Sequence, residues 1–136
     1  MINTVDLKRS ITYDALDKKM LMLIEKAGIT FLSGEIVEGV SSIFFISISY
    51  IQMTRPGKPI WLLLNTPGGD ATECFALCDM MRAFVKKGVT LNILGNGQVA
   101  SAGIALMQMG TRRYSFPHTQ FLVHQASRYI EAGHEE

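Results

Sequence analysis

A serine, a histidine and a pair of glycines are the residues of this chain whose types and spacing could carry out chemistry together. Ser101 lies in "NGQVASAGIALM" (96–107), where its hydroxyl could act as a nucleophile or could cap the helical segment that follows. His124 ends the apolar run "QFLV" and could act as a general base or as a core histidine bonded to a carbonyl group. A nucleophilic serine, a neutral imidazole and converging backbone amides are the minimum set for acyl transfer.

The stretch "NTPGGD" (65–70) could supply the backbone amides of such a site. Gly68 and Gly69 follow a strand pattern and precede a helical one, and glycines allow the backbone to approach a ligand closely. A tight turn that needs flexible residues would show the same pattern. The stretch matches neither G-x-G-x-x-G nor G-x-x-x-x-G-K-[ST], so it gives no direct support for nucleotide binding.

The elements that must position these residues alternate between helix and strand. The spacing of apolar residues and turn residues predicts a helix ending at Gly28, a strand over 29–36, a helix over 40–53, a strand over 60–65, a helix over 71–88, a strand over 89–94, a turn over 95–101, a helix over 102–110 and short strands within 112–117 and 119–125. The stretch 40–53 also fits a strand, but its length without turn residues favours a helix.

This alternation predicts an α/β domain with a parallel sheet. The continuous apolar run at 60–65 predicts a strand that is buried on both faces. In such folds, functional residues gather at the carboxyl ends of the strands, where "NTPGGD" and "GNGQVAS" both lie.

Composition and charge narrow the classes of function. The 13 Lys+Arg and 12 Asp+Glu leave a net charge of +1, which gives no electrostatic argument for a nucleic acid or membrane partner. The length and the 48% hydrophobic content suit one globular domain. The absence of a secretory signal and of an uninterrupted apolar span indicates the cytoplasm. Cys74 and Cys78 have no histidine pair nearby, so we expect no metal site and interpret them as small buried hydrophobes in a reducing compartment.

The motifs "LLLNTPGGD", "GNGQVASAGI" and "FLVHQAS" occur in the order and approximate spacing of an N-[ST]-P-G-G turn, a G-Q-x-A-S nucleophile turn and a histidine strand. In these three motifs the chain resembles the proteolytic subunit of Clp protease (ClpP). The resemblance covers residues 29–126 and implies a crotonase-like α/β fold of repeated β-α units. It divides one domain, residues 1–136, into a divergent N-terminal segment (1–28), a family-like core (29–126) and the start of the family's handle region (127–136).

The resemblance implies that the chain is a serine-type endopeptidase subunit, which hydrolyses peptide bonds of unfolded proteins. Ser101 would be the nucleophile, His124 its general base, and the backbone N–H groups of Gly69 and Ala102 the oxyanion hole. The residues expected to bind an extended peptide substrate are Gly68, Gly69, Asp70, Ala71, Gln125 and Ala126. The family also implies a homo-oligomeric ring and a partner AAA+ unfoldase that uses ATP, so this chain itself is expected to need no cofactor.

The chain departs from the family's pattern after His124. The family has a triad Asp beyond a long handle helix, whereas none of the 12 residues that follow His124 here is Asp. We therefore expect a chain truncated after the histidine strand, without the handle helix and the C-terminal part, and we assign no third triad acid. The acids that remain, none of them in a matching motif, are Asp70, Glu131, Glu135 and Glu136.

Two alternative functions stay open at this point. A catalytically weak or inactive subunit could co-assemble with full-length subunits of the same family. A crotonase-fold enzyme that acts on an acyl thioester would also use an oxyanion hole, but such enzymes commonly rely on carboxylates, so Ser101 and His124 argue against it.

Overall fold

The structure is a computed structural model that describes residues 22–125 of the chain. Helical residues 22–26 lead through a turn into the first strand. The elements that follow are β1 (Ile29–Ser33), α1 (Val40–Thr54), β2 (Ile60–Thr66), α2 (Ala71–Lys86), β3 (Leu91–Ala100), α3 (Ala102–Gln108), β4 (Arg112–Ser115) and β5 (Gln120–Leu122). This order confirms the predicted α/β class and the helical assignment of the 40–53 stretch.

The strands form one parallel sheet in the order β1-β2-β3-β4, and β5 also pairs with β3. β4 runs beside the first part of β3, with Asn92 opposite Arg112, and β5 runs beside its last part, with Val99 opposite Phe121. The carboxyl ends of β2, β3 and β5 therefore meet at one edge of the sheet, and each of the three sequence motifs lies there.

The core lies between the sheet and the three helices. In α1, Val40, Phe44, Ile48 and Ile51 are buried at helical spacing, and they cluster with buried residues of β2 such as Leu62 and Leu64. α2 and α3 contribute Leu77 and Leu106 to the same cluster. Burial of this apolar face is the main force that holds the helices on the sheet.

The opposite face of the sheet is less covered. Along β2, buried residues alternate with half-buried ones, the latter being Trp61, Leu63 and Asn65. The prediction that 60–65 is buried on both faces is therefore wrong, because within the described residues the helices pack against one face only. No helix in this part of the chain combines the length and apolarity needed to cross a bilayer.

The boundaries of β3 also differ from the prediction. Residues 95–100, predicted as a turn, continue the strand up to Ala100. A shift in register makes this possible, since Leu64 pairs with Gly95 whereas Thr66 pairs with Val99. The Asn65 side chain accepts a hydrogen bond from the Gln98 N–H at 3.2 Å and so stabilises the irregular segment. As a result, β3 leads directly into Ser101 without an intervening loop.

Candidate active site

Ser101 lies at the junction of β3 and α3 in an unusual backbone conformation. Its φ of 53° makes it the one non-glycine residue with positive φ in the described part of the chain, and its ψ is −121°. A conformation of this kind costs roughly 1–3 kcal/mol and persists only where the surrounding structure imposes it. Here the Ser101 N–H donates to the Leu122 carbonyl at 2.9 Å, and the Ser101 carbonyl accepts from the Ile104 N–H at 3.0 Å.

The Ser101 side chain does not cap α3. No side-chain capping hydrogen bond forms at the start of this helix, although Ser101 occupies the N-cap position. The sequence left a capping role and a nucleophilic role open, and the structure lacks the hydrogen bond that capping requires. Its side chain instead lines a cavity at the edge of the sheet.

The glycine turn after β2 packs directly against Ser101. A Cβ atom at Gly68 would lie 2.8 Å from the Ser101 Cβ and 3.2 Å from the Ala102 N, and one at Gly69 would collide with the Ile36 carbonyl oxygen. Ile36 holds this turn from outside, because its N–H donates to the Gly68 carbonyl at 2.9 Å and its carbonyl accepts from the Asp70 N–H at 2.8 Å. Both glycines are therefore required by close approach, as the motif suggested.

A cavity of about 350 Å³ joins these segments. Of the residues that the sequence singled out, five line it: Gly69, Ala71, Ser101, Ala102 and His124. Neither the Gly69 N–H nor the Ala102 N–H donates to another group of the described residues. Ala102 is the first residue of α3, where backbone amides have no acceptor within the helix. Both amides are thus available to a ligand.

Other predicted residues lie elsewhere. Gly68 is buried behind Ser101 and does not line the cavity. The Asp70 carboxylate caps α2, since its Oδ1 accepts from the Glu73 N–H at 2.8 Å. Gln125 is exposed beside His124. Ala126, Glu131, Glu135 and Glu136 lie outside the described residues, as do the first part of the N-terminal segment and the start of the handle region.

His124 is exposed at the cavity, and its Nδ1 lies 2.8 Å from the Gln125 carbonyl oxygen. Because a carbonyl oxygen can only accept, Nδ1 is the donor in this hydrogen bond, and the tautomer with its proton on Nδ1 has its lone pair on Nε2. This is the tautomer that a general base toward a serine hydroxyl needs. Within the described residues, His124 makes no hydrogen bond to Ser101 or to a carboxylate. Catalytic hydrogen bonds of this kind often form only when substrate binds.

The remaining lining residues make the cavity mostly apolar. They are Cys74, Phe75, Ala105 and Val123, which the sequence motifs did not assign to the site. Ala105 could have been found, because it lies four residues after Ser101 and so on the same face of α3. Nothing local marks Cys74 or Phe75 as lining residues.

Cys74 is a packing residue of this cavity. Its Sγ lies 3.5 Å from the Ala102 carbonyl oxygen. Burial, with a smaller effect of the neighbouring Cys78, raises the pKa of Cys74 to about 12, so its thiol stays neutral at pH 7. Burial also raises the pKa of the half-buried Cys78. Cysteine reacts as its thiolate, so a thiol that stays neutral at pH 7 does not fit the role of a nucleophile.

The family model described as Clp protease matches residues 13–136 of the chain. The matched span contains the glycine turn, Ser101 and His124, and it includes every element of the described structure.

Proposed function

The chain belongs to the Clp protease family, and from this premise we propose that it is a serine-type endopeptidase subunit that hydrolyses peptide bonds of unfolded polypeptides. The observation that carries the proposal is the strained backbone of Ser101, whose side chain faces a cavity shared with His124 and the Gly69 amide. Strain of this kind at a strand-to-helix junction is the arrangement of a nucleophile elbow.

The substrate would bind as an extended strand across the cavity. In this proposal its backbone pairs with the exposed segment Gly69–Ala71 on one side and with Gln125 and Ala126 on the other. Such pairing recognises the backbone groups of the substrate, so substrates of many sequences can bind. The apolar lining residues Phe75 and Val123 would contact the side chain next to the scissile bond.

In the first chemical step, the Ser101 Oγ attacks the scissile carbonyl carbon while His124 Nε2 takes the hydroxyl proton. The carbonyl oxygen becomes an oxyanion that accepts hydrogen bonds from the Gly69 and Ala102 N–H groups. The imidazolium then gives its proton to the leaving amine, which breaks the peptide bond and leaves an acyl-serine. Water, deprotonated by His124, attacks this ester and releases the second product.

The Gln125 carbonyl takes part by holding His124 in the productive tautomer. A neutral carbonyl stabilises the developing imidazolium less than a carboxylate does, and losing the acid of a serine triad typically costs about 10⁴-fold in rate. Among the candidate acids, Asp70 is occupied as the cap of α2. The described residues therefore supply the serine and the histidine of the proposed machinery, and we assign no third acid.

The assembly belongs to the same proposal. A homo-oligomeric ring would enclose the sites, and an AAA+ unfoldase would supply polypeptide and hydrolyse ATP in the cytoplasm, so this chain would bind no cofactor. Support comes from the face of the sheet that is less covered within residues 22–125, where the Trp61 and Tyr114 rings pack at a tilt of 40° with centroids 5.1 Å apart. Aromatic side chains of this kind are frequent at protein–protein interfaces.

A fluorophosphonate probe tests the proposal on the purified chain, with Ser101→Ala and His124→Ala as matched variants. We expect labelling of the wild type, none in Ser101→Ala, and strongly slowed labelling in His124→Ala. A folded wild type that resists the probe would contradict a hydrolase function and favour the inactive co-assembling subunit. Size-exclusion chromatography of the same preparation measures whether rings form.

A further inference from the structure

The Thr66 side chain contacts two segments that border the cavity: the glycine turn after β2 and the start of α3, next to Ser101. Thr66 is the last residue of β2 and only 1% of its surface is exposed. Its Oγ1 donates to the Gly34 carbonyl at 2.7 Å and accepts from the Gly68 N–H at 3.1 Å. Its methyl group packs against α3, since a Cβ atom at Gly103 would lie 2.7 Å from the Thr66 Cγ2.

The hydroxyl holds the Gly68 N–H, one residue before the Gly69 amide. The Gly68 N–H is held by Thr66, and the Gly68 carbonyl is held by the Ile36 N–H at 2.9 Å. The peptide that joins Gly68 to Gly69 is planar and trans, so its N–H points opposite to its carbonyl. Fixing the Gly68 residue at both ends therefore aims the Gly69 N–H away from Ile36.

The methyl group acts on the other turn. Gly103 follows Ala102 in the first turn of α3, so contact with the Thr66 methyl sets how closely α3 approaches the end of β2. That approach also decides the distance between the Ala102 amide and the glycine turn, because a Cβ at Gly68 would reach within 3.2 Å of the Ala102 N. Misplacement by about 1 Å can cost on the order of 100-fold in rate.

We propose that Thr66 is a positioning residue of the oxyanion hole, with its hydroxyl orienting the Gly69 amide and its methyl group setting the position of the Ala102 amide. The inference rests on the proposed peptidase function. It assigns separate roles to two groups of one side chain, so conservative substitutions can separate them. Thr66→Val keeps the shape and removes the hydroxyl, whereas Thr66→Ser keeps the hydroxyl and removes the methyl group.

The test is steady-state hydrolysis of a fluorogenic peptide by the wild type and these variants. We expect Thr66→Val to lower kcat by about 10- to 100-fold with KM within about twofold, because the oxyanion forms only in the transition state. Thr66→Ser should lose less than Thr66→Val, and its remaining loss measures the role of the methyl group; a wild-type kcat in Thr66→Ser would overturn that role. Thr111→Val is the matched control: Thr111 Oγ1 accepts from the Leu91 N–H at 3.0 Å near the opposite end of β3, and its loss should leave kcat unchanged.

A Thr66→Val enzyme with wild-type kcat, or a kcat that falls as much in Thr66→Ser, would overturn the role of the hydroxyl. If Thr66→Val fails to fold, Thr66→Cys is compared with Thr66→Ser, because both lack the methyl group and differ only in the weaker hydrogen bonding of the thiol. Thr66→Cys should then have the lower kcat. If the wild type neither hydrolyses the peptide nor reacts with fluorophosphonate, the proposed function falls. Amide exchange then decides the positioning claim: the Gly68 N–H must be protected in the wild type and in Thr66→Ser but exposed to exchange in Thr66→Val.

Discussion

Two turns face each other at the carboxyl edge of the sheet. The first is the glycine turn that follows β2, and the second is the turn at Ser101, where β3 meets α3. The first turn places the Gly69 backbone amide at the cavity, and both Gly68 and Gly69 have positive φ, which carries little penalty for glycine. The second turn places a side chain there, and Ser101 adopts positive φ in spite of its Cβ. Glycine therefore suffices where only the backbone acts, whereas a strained residue is kept where a side chain must act.

The strain of the second turn is offset by its neighbours. The Ser101 N–H is bonded to Leu122 of β5, and a Cβ at Gly68 would touch the Ser101 Cβ. β5 also leads to His124, so the strand that constrains the nucleophile also carries the proposed base. The two turns thus depend on each other, and a substitution in one should change the conformation of the other.

The largest effect is expected from Gly69→Ala, which should lower kcat by about 10²- to 10³-fold, the usual cost of losing one oxyanion donor. The added Cβ would collide with the Ile36 carbonyl and displace the amide. The measurement is peptide hydrolysis together with urea unfolding. Gly57→Ala is the control, since Gly57 also has positive φ but a Cβ placed there would meet no atom within 4 Å. Gly57→Ala should lower the free energy of unfolding by about 1 kcal/mol and leave kcat unchanged. An equal loss of activity in both variants would contradict a specific role of the first turn.

Ser101→Gly should stabilise the fold by about 1 kcal/mol relative to Ser101→Ala, because glycine relieves the positive φ while both variants remove the nucleophile. The gain is smaller than the full strain, since glycine also loses more conformational entropy on folding. Urea denaturation of the two inactive variants measures the difference. Identical midpoints would mean that the second turn stores no strain.

The Cys74 thiol connects the helix that follows the first turn with the helix that follows the second, because it extends from α2 to the Ala102 carbonyl. Its pKa is raised from 9.0 to about 12, so the folded state favours the neutral thiol. The contribution of Cys74 to stability is therefore complete below pH 9 and is lost as the pH rises from 9 towards 12. We expect wild type to lose about 1 kcal/mol more than Cys74→Ala between pH 8 and pH 10 under reducing conditions. Parallel pH profiles would exclude this role.

The smallest effect concerns Glu73, which ties the first turn of α2 to α1. Hydrogen bonding from Ser41, by its hydroxyl and by its N–H at 2.9 Å, lowers the pKa of Glu73 below 4.5. Its stabilising contribution is thus present above pH 4.5 and is lost as the pH falls through the lowered folded-state pKa. Glu73→Gln should cost about 0.5 kcal/mol at pH 7, measured by urea unfolding, and the difference from wild type should vanish at low pH. A difference that persists there would show that the carboxylate charge is not involved.

Much of the fold could be predicted because its signals are periodic and local. The spacing of Val40, Phe44 and Ile48 predicts α1, and the glycine turn identifies the end of β2. The extension of β3 through residues 95–100 could not be predicted, because it depends on Asn65 of the neighbouring strand. The exposure of one sheet face was missed for a similar reason, since an apolar run does not reveal which elements cover it.

For the candidate site, the residue types could be read from the sequence alone: a serine after a strand, a pair of glycines and a histidine, in an order that resembles one family. The folded chain was needed to show that Ser101 does not cap α3, that Asp70 is used as a helix cap, and that Thr66 contacts both Gly68 and Gly103. The physical reason is range. Propensity and periodicity act over a few residues, whereas the Ser101 N–H is bonded to Leu122 and the Gly68 carbonyl to Ile36, partners that only the folded sheet brings close.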